Sequence, residues 1–174
     1  MKLTDILPVE IWGAIETEAN EKFGLNASVF DDDGKRVTTQ KNAENPLCGA
    51  IGKSADGQTH ICARSHQNIS GRAKIGGTPV IGECDAGLIK ISVPIFIEDE
   101  FMGSFGGCGL LPEGEEIDAF YIGKITGMAE AEIEEMGKGI ETISRVKSEE
   151  VATFLADAVR GVFSRSEERF SRNA

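Results

Sequence analysis

The run Ile89-Lys90-Ile91-Ser92-Val93-Pro94-Ile95-Phe96-Ile97, then Glu98-Asp99-Glu100, then Phe101-Met102-Gly103-Ser104-Phe105-Gly106-Gly107-Cys108, decides the fold. Every odd position from 89 to 97 carries a β-branched aliphatic side chain, and a period of two means a strand that turns one face to a core. Pro94 has no N–H to give to a ladder, which puts an edge or a bulge at that point. The acidic triplet makes the turn. The returning segment is rich in glycine, which weakens a strand unless a bulge or a close backbone approach requires it.

Working outward, Asn26-Ala27-Ser28-Val29-Phe30, the turn Asp31-Asp32-Asp33-Gly34 and Lys35-Arg36-Val37-Thr38 read as a second hairpin. Ahead of it, a helix is predicted from about Thr4 to Phe23, with Pro8 in its first turn, Trp12, Ile15, Ala19 and Phe23 on one stripe and Gly24 as its end. Between the hairpins, Asn45-Pro46 caps a short helix with Leu47, Cys48 and Ile51. The loop Ser54 to Gly57 follows, and then a helix from about Gln58 to Lys74 with Ile61, Ser65, Ile69 and Ala73 on one face. After Pro112 come short helical pieces broken by Gly123, Gly127, Gly137 and Gly139. The terminal helix, about residues 148–165, has the stripe Val151, Phe154, Leu155, Ala158, Val159, Val162; the charged tail 166–174 is expected to fray. Residues 1–174 therefore read as one α+β domain with a mostly antiparallel sheet.

Eighteen Lys and Arg against 29 Asp and Glu give a formal net charge of −11, which repels phosphate backbones and anionic headgroups and argues against nucleic-acid and membrane partners. No segment is long and apolar enough to cross a bilayer, so a cytoplasmic protein is expected. In that compartment thiols stay reduced. The four cysteines, Cys48, Cys62, Cys84 and Cys108, then point to a metal or to free thiols ahead of disulfides. Four thiolates satisfy either tetrahedral zinc or a [4Fe-4S] cluster, and all four are the candidate cofactor ligands. Their long separations contain no Cys-x-x-Cys pair, so their convergence depends on the fold. Against the cofactor stands the small, buried, inert cysteine of an ordinary core, with a Cys48–Cys62 redox disulfide behind it.

The remaining candidates carry less. His60 and His66 lie six apart and do not share a helix face, which favours surface or packing roles. Arg64 and Arg72 offer forked donors to a carboxylate, although solvated helix positions account for them as well. Glu83 and Asp85 flank Cys84 as an acid and base pair in a chain full of carboxylates. The glycines from Gly103 to Gly109 match no phosphate-binding loop. No nucleophile-base motif supports an enzyme.

Cys48, Cys62, the stretch Cys84-Asp85-Ala86-Gly87-Leu88, Val93-Pro94-Ile95 and the glycine-rich return strand together resemble the PocR sensory domain, a variant of the PAS/GAF-like ligand sensors. The resemblance extends from the first helix to about Val162. Asp85 stands where that family commonly has histidine, and Glu98-Asp99-Glu100 replaces its glycine-containing hairpin. The resemblance implies an antiparallel sheet of about five strands with flanking helices, and a pocket for a small organic molecule. Such domains usually precede a kinase, helix-turn-helix or chemotaxis module, and this chain has none. The expectation is a stand-alone, non-enzymatic sensor with output through a homodimer of the terminal helix or a separate signalling protein. Its signal is either redox or gas, read by a four-cysteine cluster or metal, or a small organic metabolite bound without metal.

Overall fold

The computed structural model describes residues 1–172 apart from 41 and 43, with side chains described up to 165. Two helices come first. The single N-terminal helix expected from the sequence is divided into α1 (Leu3–Ile6) and α2 (Val9–Phe23), because Leu7, the residue before Pro8, is held extended (φ −136°, ψ 144°). Gly24 closes α2 in the left-handed conformation, φ 72°. Trp12 is fully buried, donates its indole N–H to the Leu3 carbonyl at 3.2 Å and meets Phe163 edge-on, so one side chain ties α1, α2 and the terminal helix together.

Four strands form one antiparallel sheet: β1 (Asn26–Asp31), β2 (Val80–Glu83), β3 (Ile89–Ile97) and β4 (Glu100–Cys108), in the order β1-β4-β3-β2. The β3–β4 hairpin is the one read from the sequence. It turns through Glu98 and Asp99, both at positive φ, and pairs Ile97 with Glu100; its register slips between Ile95 and Phe96. Pro94 lies beyond the last residue of β3 that β2 pairs, Ser92, so β3 is locally an edge there.

Among the described residues the sheet has four strands against about five expected; the Lys35–Thr38 arm, read as a strand, is absent from it, and β2, which the sequence reading did not mark, is present. That arm makes a single bridge, Phe30 to Arg36, flanked by Asp31 N–H to Lys35 C=O and Val37 N–H to Val29 C=O. The next rung would need the Val29 N–H. That group instead donates to the fully buried Glu16 carboxylate at 2.7 Å, whose other oxygen accepts from Thr38 Oγ1 at 2.6 Å. A carboxylate from α2 thus ends the ladder. Replacing Glu16 with Leu leaves a buried N–H and a hydroxyl without acceptors, and a loss of about 2 kcal/mol in urea unfolding is expected, against well under 1 for Glu16→Gln.

Beyond the hairpin, α3 (Pro46–Lys53) and a short turn α4 (Ala55–Gly57), where a loop was expected, lead through a π-helical turn, Gln58–Ala63, into α5 (Arg64–Gly76). After β4 come β5 (Leu111–Pro112), α6 (Ala119–Thr126), α7 (Glu130–Gly137) and β6 (Thr142–Ile143), with β5 and β6 pairing in parallel. The last helix, α8 (Arg145–Arg172), starts ahead of the boundary expected near 148, where the Ser144 hydroxyl accepts from Lys147 N–H. Its backbone is helical to 172; the rest of the tail expected to fray lies outside the described residues.

The odd positions of β3 enter one core with α2 and α8, where Ile89, Ile91, Val93 and Ile95 meet Trp12, Ile15, Val151 and Leu155. The other face differs in kind. Lys90 and Ser92 of β3, Ser104 and Cys108 of β4 and Ser28 of β1 project from it toward α5, and Ser70 of α5 meets Ser104 at 3.3 Å. A second apolar cluster, built on Leu47, Ile51, Ile61, Leu88, Ile122 and Ile133, fills the end of the molecule below that polar face. No helix among the described residues is long and apolar enough to cross a membrane.

Candidate functional site

Between the polar face of the sheet and α3, the π-helical turn and α5 lies a cavity of 520 Å³. Cys48, Cys62, Cys108 and Lys90 stand toward one end, and Phe30, His66, Gly34 and Arg36 toward the other. Each wall is fixed by a local device. Asn45 caps α3 by accepting from the Cys48 N–H at 2.8 Å, and its own amide donates to the Gly109 carbonyl at 2.7 Å. One side chain thereby joins the start of α3 to the end of β4. Gly109 has φ 102°, and a Cβ there would come within 3.7 Å of Cys48 Sγ.

Ser54 accepts from Gly57 N–H, and Gly57 presses so closely on the Ile51 carbonyl that a Cβ would lie 2.4 Å from it. This contact seats the π-helical turn against α3, and Cys62 sits in that turn. Cys84 lies in the tight turn before β3. Its N–H donates to Leu88 C=O, its C=O accepts from Gly87 N–H, and Gly87 takes φ 86°. The Ala86 and Leu88 amides are directed at its sulfur.

The structure brings all four cysteines to one pole. Cys48, Cys62 and Cys108 border the cavity, Cys48, Cys62 and Cys84 pack on the second apolar cluster, and each sulfur lies within electrostatic reach of the other three. All four are free thiols. Burial first, then charge on the neighbouring sulfurs, pushes the Cys48 thiol far above its ordinary range, with the Asn45 amide opposing. Burial and the Cys108 and Cys84 charges push Cys62 up to about 11, and burial raises Cys84 against the pull of its amides. These three thiols are neutral at pH 7, which makes them poor nucleophiles. Among the described residues no group of three or more His, Cys, Asp or Glu side chains is placed to hold a metal ion.

Of the other residues singled out in the sequence, His60 is exposed and Arg72 does not border the cavity. Arg64 faces Asp85 at 3.9 Å across exposed surface, and the Asp85 N–H donates to Ser65 Oγ at 2.9 Å. Glu83 is exposed at the end of β2. His66 is brought in: it is buried, its ring lies 3.9 Å from that of Phe30, and burial together with the Lys90 charge lowers its pKa to about 4.

Sequence reasoning missed Lys90 as a functional residue. It is 9% exposed, borders the cavity beside Cys108 across the ladder, and makes no hydrogen bond or ion pair among the described residues. The cavity's carboxylates are engaged elsewhere, Asp33 with Lys35 and Glu44 with Asn26. The sequence offered little signal, because a lysine alternating with strand isoleucines lies on the face opposite the core and reads as solvent-facing.

The family described as "Sensory domain found in PocR" matches residues 5–166, nearly the whole chain. Neither a curated protein nor a solved structure matches it. The match spans every element that builds the cavity, from α2 and β1 through the β3–β4 hairpin to most of α8. The chain belongs to the family of PocR sensory domains.

Proposed function

We propose that the chain is the receiving module of a signalling system and binds a small organic molecule in the 520 Å³ cavity on the polar face of its sheet. The cavity itself carries this reading. It has the size of a small-ligand site, a few polar groups converge on it, and helices from a separate layer close it. Membership of a sensory family supports the same reading. The lining joins an aromatic and imidazole end to a cationic and thiol end, which suits a ligand with an apolar body and one polar or anionic group.

The route to an output follows from the layering. The strand that presents Lys90 to the cavity presents Ile91 and Val93 to the core with α8 on its other face, so a shift of β3 on binding moves the terminal helix or its partner. A second reading, a redox or gas sensor with a cofactor on the thiols, draws on the meeting of four cysteines at the same pole.

Ala63 borders the cavity and is only half-buried, so Ala63→Trp fills the space without entering either apolar core. In a thermal-shift panel of small alcohols, aldehydes and carboxylic acids, the wild-type chain is expected to gain about 2.7 kcal/mol at a hundredfold excess over Kd with at least one compound class. Ala63→Trp is expected to gain nothing. Equal gains in both proteins, or none in the wild type, would overturn the reading.

A further inference from the structure

We infer that the thiol end of the cavity is a [4Fe-4S] site, with Cys48, Cys62, Cys84 and Cys108 as ligands and Lys90 as the cation beside it. This rests on the reading of the cavity as the receiving site and names what occupies one end of it. The Phe30–His66 end stays open to the organic ligand.

Four sulfurs distant in sequence come together at one pole. They arrive from α3, the π-helical turn, the turn before β3 and the end of β4, and each of those places is held by a device described above: the Asn45 bridge, the Gly57 contact, the Gly87 turn and the sheet ladder. A cubane puts its four thiolates on four separate irons, with the cluster's own sulfides between them, so it takes ligands spaced too widely to share one ion. Here all four sulfurs are free, three of them line the cavity, and each lies within electrostatic reach of the other three.

Two further features favour an anionic occupant. The Ala86 and Leu88 amides point at Cys84 Sγ, and the Asn45 amide nitrogen lies 3.3 Å from Cys48 Sγ, so donors already wait at two of the four sulfurs. Such N–H groups stabilise charge on a metal-bound thiolate and tune a cluster. Lys90 is the stronger sign. The residue is 9% exposed, borders the cavity and makes no ion pair among the described residues. A cubane core of charge 2+ on four thiolates carries 2− overall, which supplies the missing counter-charge.

The test uses the full chain, without oxygen, and a preformed cubane carrying four 2-mercaptoethanol thiolates. Four iron–sulfur bonds to the small thiolates break and four to the cysteines form. Each cysteine proton leaves on a departing 2-mercaptoethanol, and no electron moves. After gel filtration the wild-type protein is expected to carry about four iron and about four sulfide with a brown charge-transfer absorption. Cys108→Ser, checked for folding by circular dichroism, is expected to lose most of both. Lys90→Met keeps all four thiols and is expected to bind a cluster whose reduction potential is lower, since a nearby positive charge is gone.

Wild-type protein that elutes without iron and sulfide, a Cys108→Ser variant that retains as much as the wild type, or tight stoichiometric zinc binding in place of the cubane would each overturn the assignment. The organic-ligand reading survives any of those results. It is decided by the thermal-shift comparison with Ala63→Trp, which uses no iron.

Discussion

Substituting alanine at Gly103 is expected to destabilise the domain by about 4 kcal/mol or more, the largest effect expected at any of its glycines. Two causes add. Gly103 has φ 146°, a conformation that side-chain-bearing residues rarely adopt, and a Cβ placed on it would lie 2.0 Å from the Phe30 carbonyl oxygen. Neither can be relieved by rotating a side chain, because the obstruction is the backbone of the neighbouring strand. β4 lies between β1 and β3, with Gly103 paired to Asp31 on one side and Ile95 on the other. A shift that accommodates the methyl group must therefore open one of two ladders. Urea unfolding measures the effect, and a loss under about 1 kcal/mol would mean that the close approach is not a fixed feature of the fold. The consequence reaches the cavity, since Phe30 carries the ring stacked on His66.

Much of this architecture was legible because it rests on period and punctuation. The odd-position run of β3 could have only one core face, and Gly24 and Pro46 mark helix ends by their own conformational limits. What was not legible depends on partners distant in sequence. The fifth strand fails because of Glu16, and nothing near Lys35–Thr38 announces that a carboxylate from α2 takes the next ladder position. The hint lay within α2, where Glu16 sits next to the stripe of Trp12, Ile15 and Ala19. β5 and β6 are two residues each and carry no periodic signal at all.

The site divides along the same line. Cysteine count and chemistry pointed to one pole, and the fold brings the four sulfurs there; their local spacing could not show it. Lys90 and Ser92 were visible as the even positions of β3, yet an even position reads as solvent-facing until a covering helix is known. α5 covers that face, and this turns a surface lysine into a buried one. His66 was read as a surface or packing residue, and the Phe30 ring does pack on it, but its place on the cavity wall comes only from the way α5 crosses the sheet.

Acid should reveal His66. Burial, and then the charge of Lys90, holds its folded pKa near 4, against 6.5 for the unfolded chain. Between those values the unfolded chain binds a proton that the folded chain refuses, so acid favours unfolding across this window. Stability rises with pH from about 4 to about 6.5, and the contribution is flat above and below. The shift corresponds to about 3 kcal/mol lost between pH 7 and pH 4, on the order of half the stability of a small domain. Every other acid-sensitive contribution is common to the two proteins, so the test is a difference. The fall in urea-unfolding stability from pH 7 to pH 4 is expected to be smaller by about 3 kcal/mol in His66→Phe, which keeps a ring against Phe30 and has no proton to bind. Parallel curves for the two proteins would mean that the imidazole is solvated in the folded chain and that the cavity is wetter than its walls imply. The same experiment bears on Lys90, because the two groups face one space. A second cation cannot enter while the ammonium there lacks an anionic neighbour, and an anion bound beside Lys90 is expected to raise the His66 value and flatten the wild-type curve.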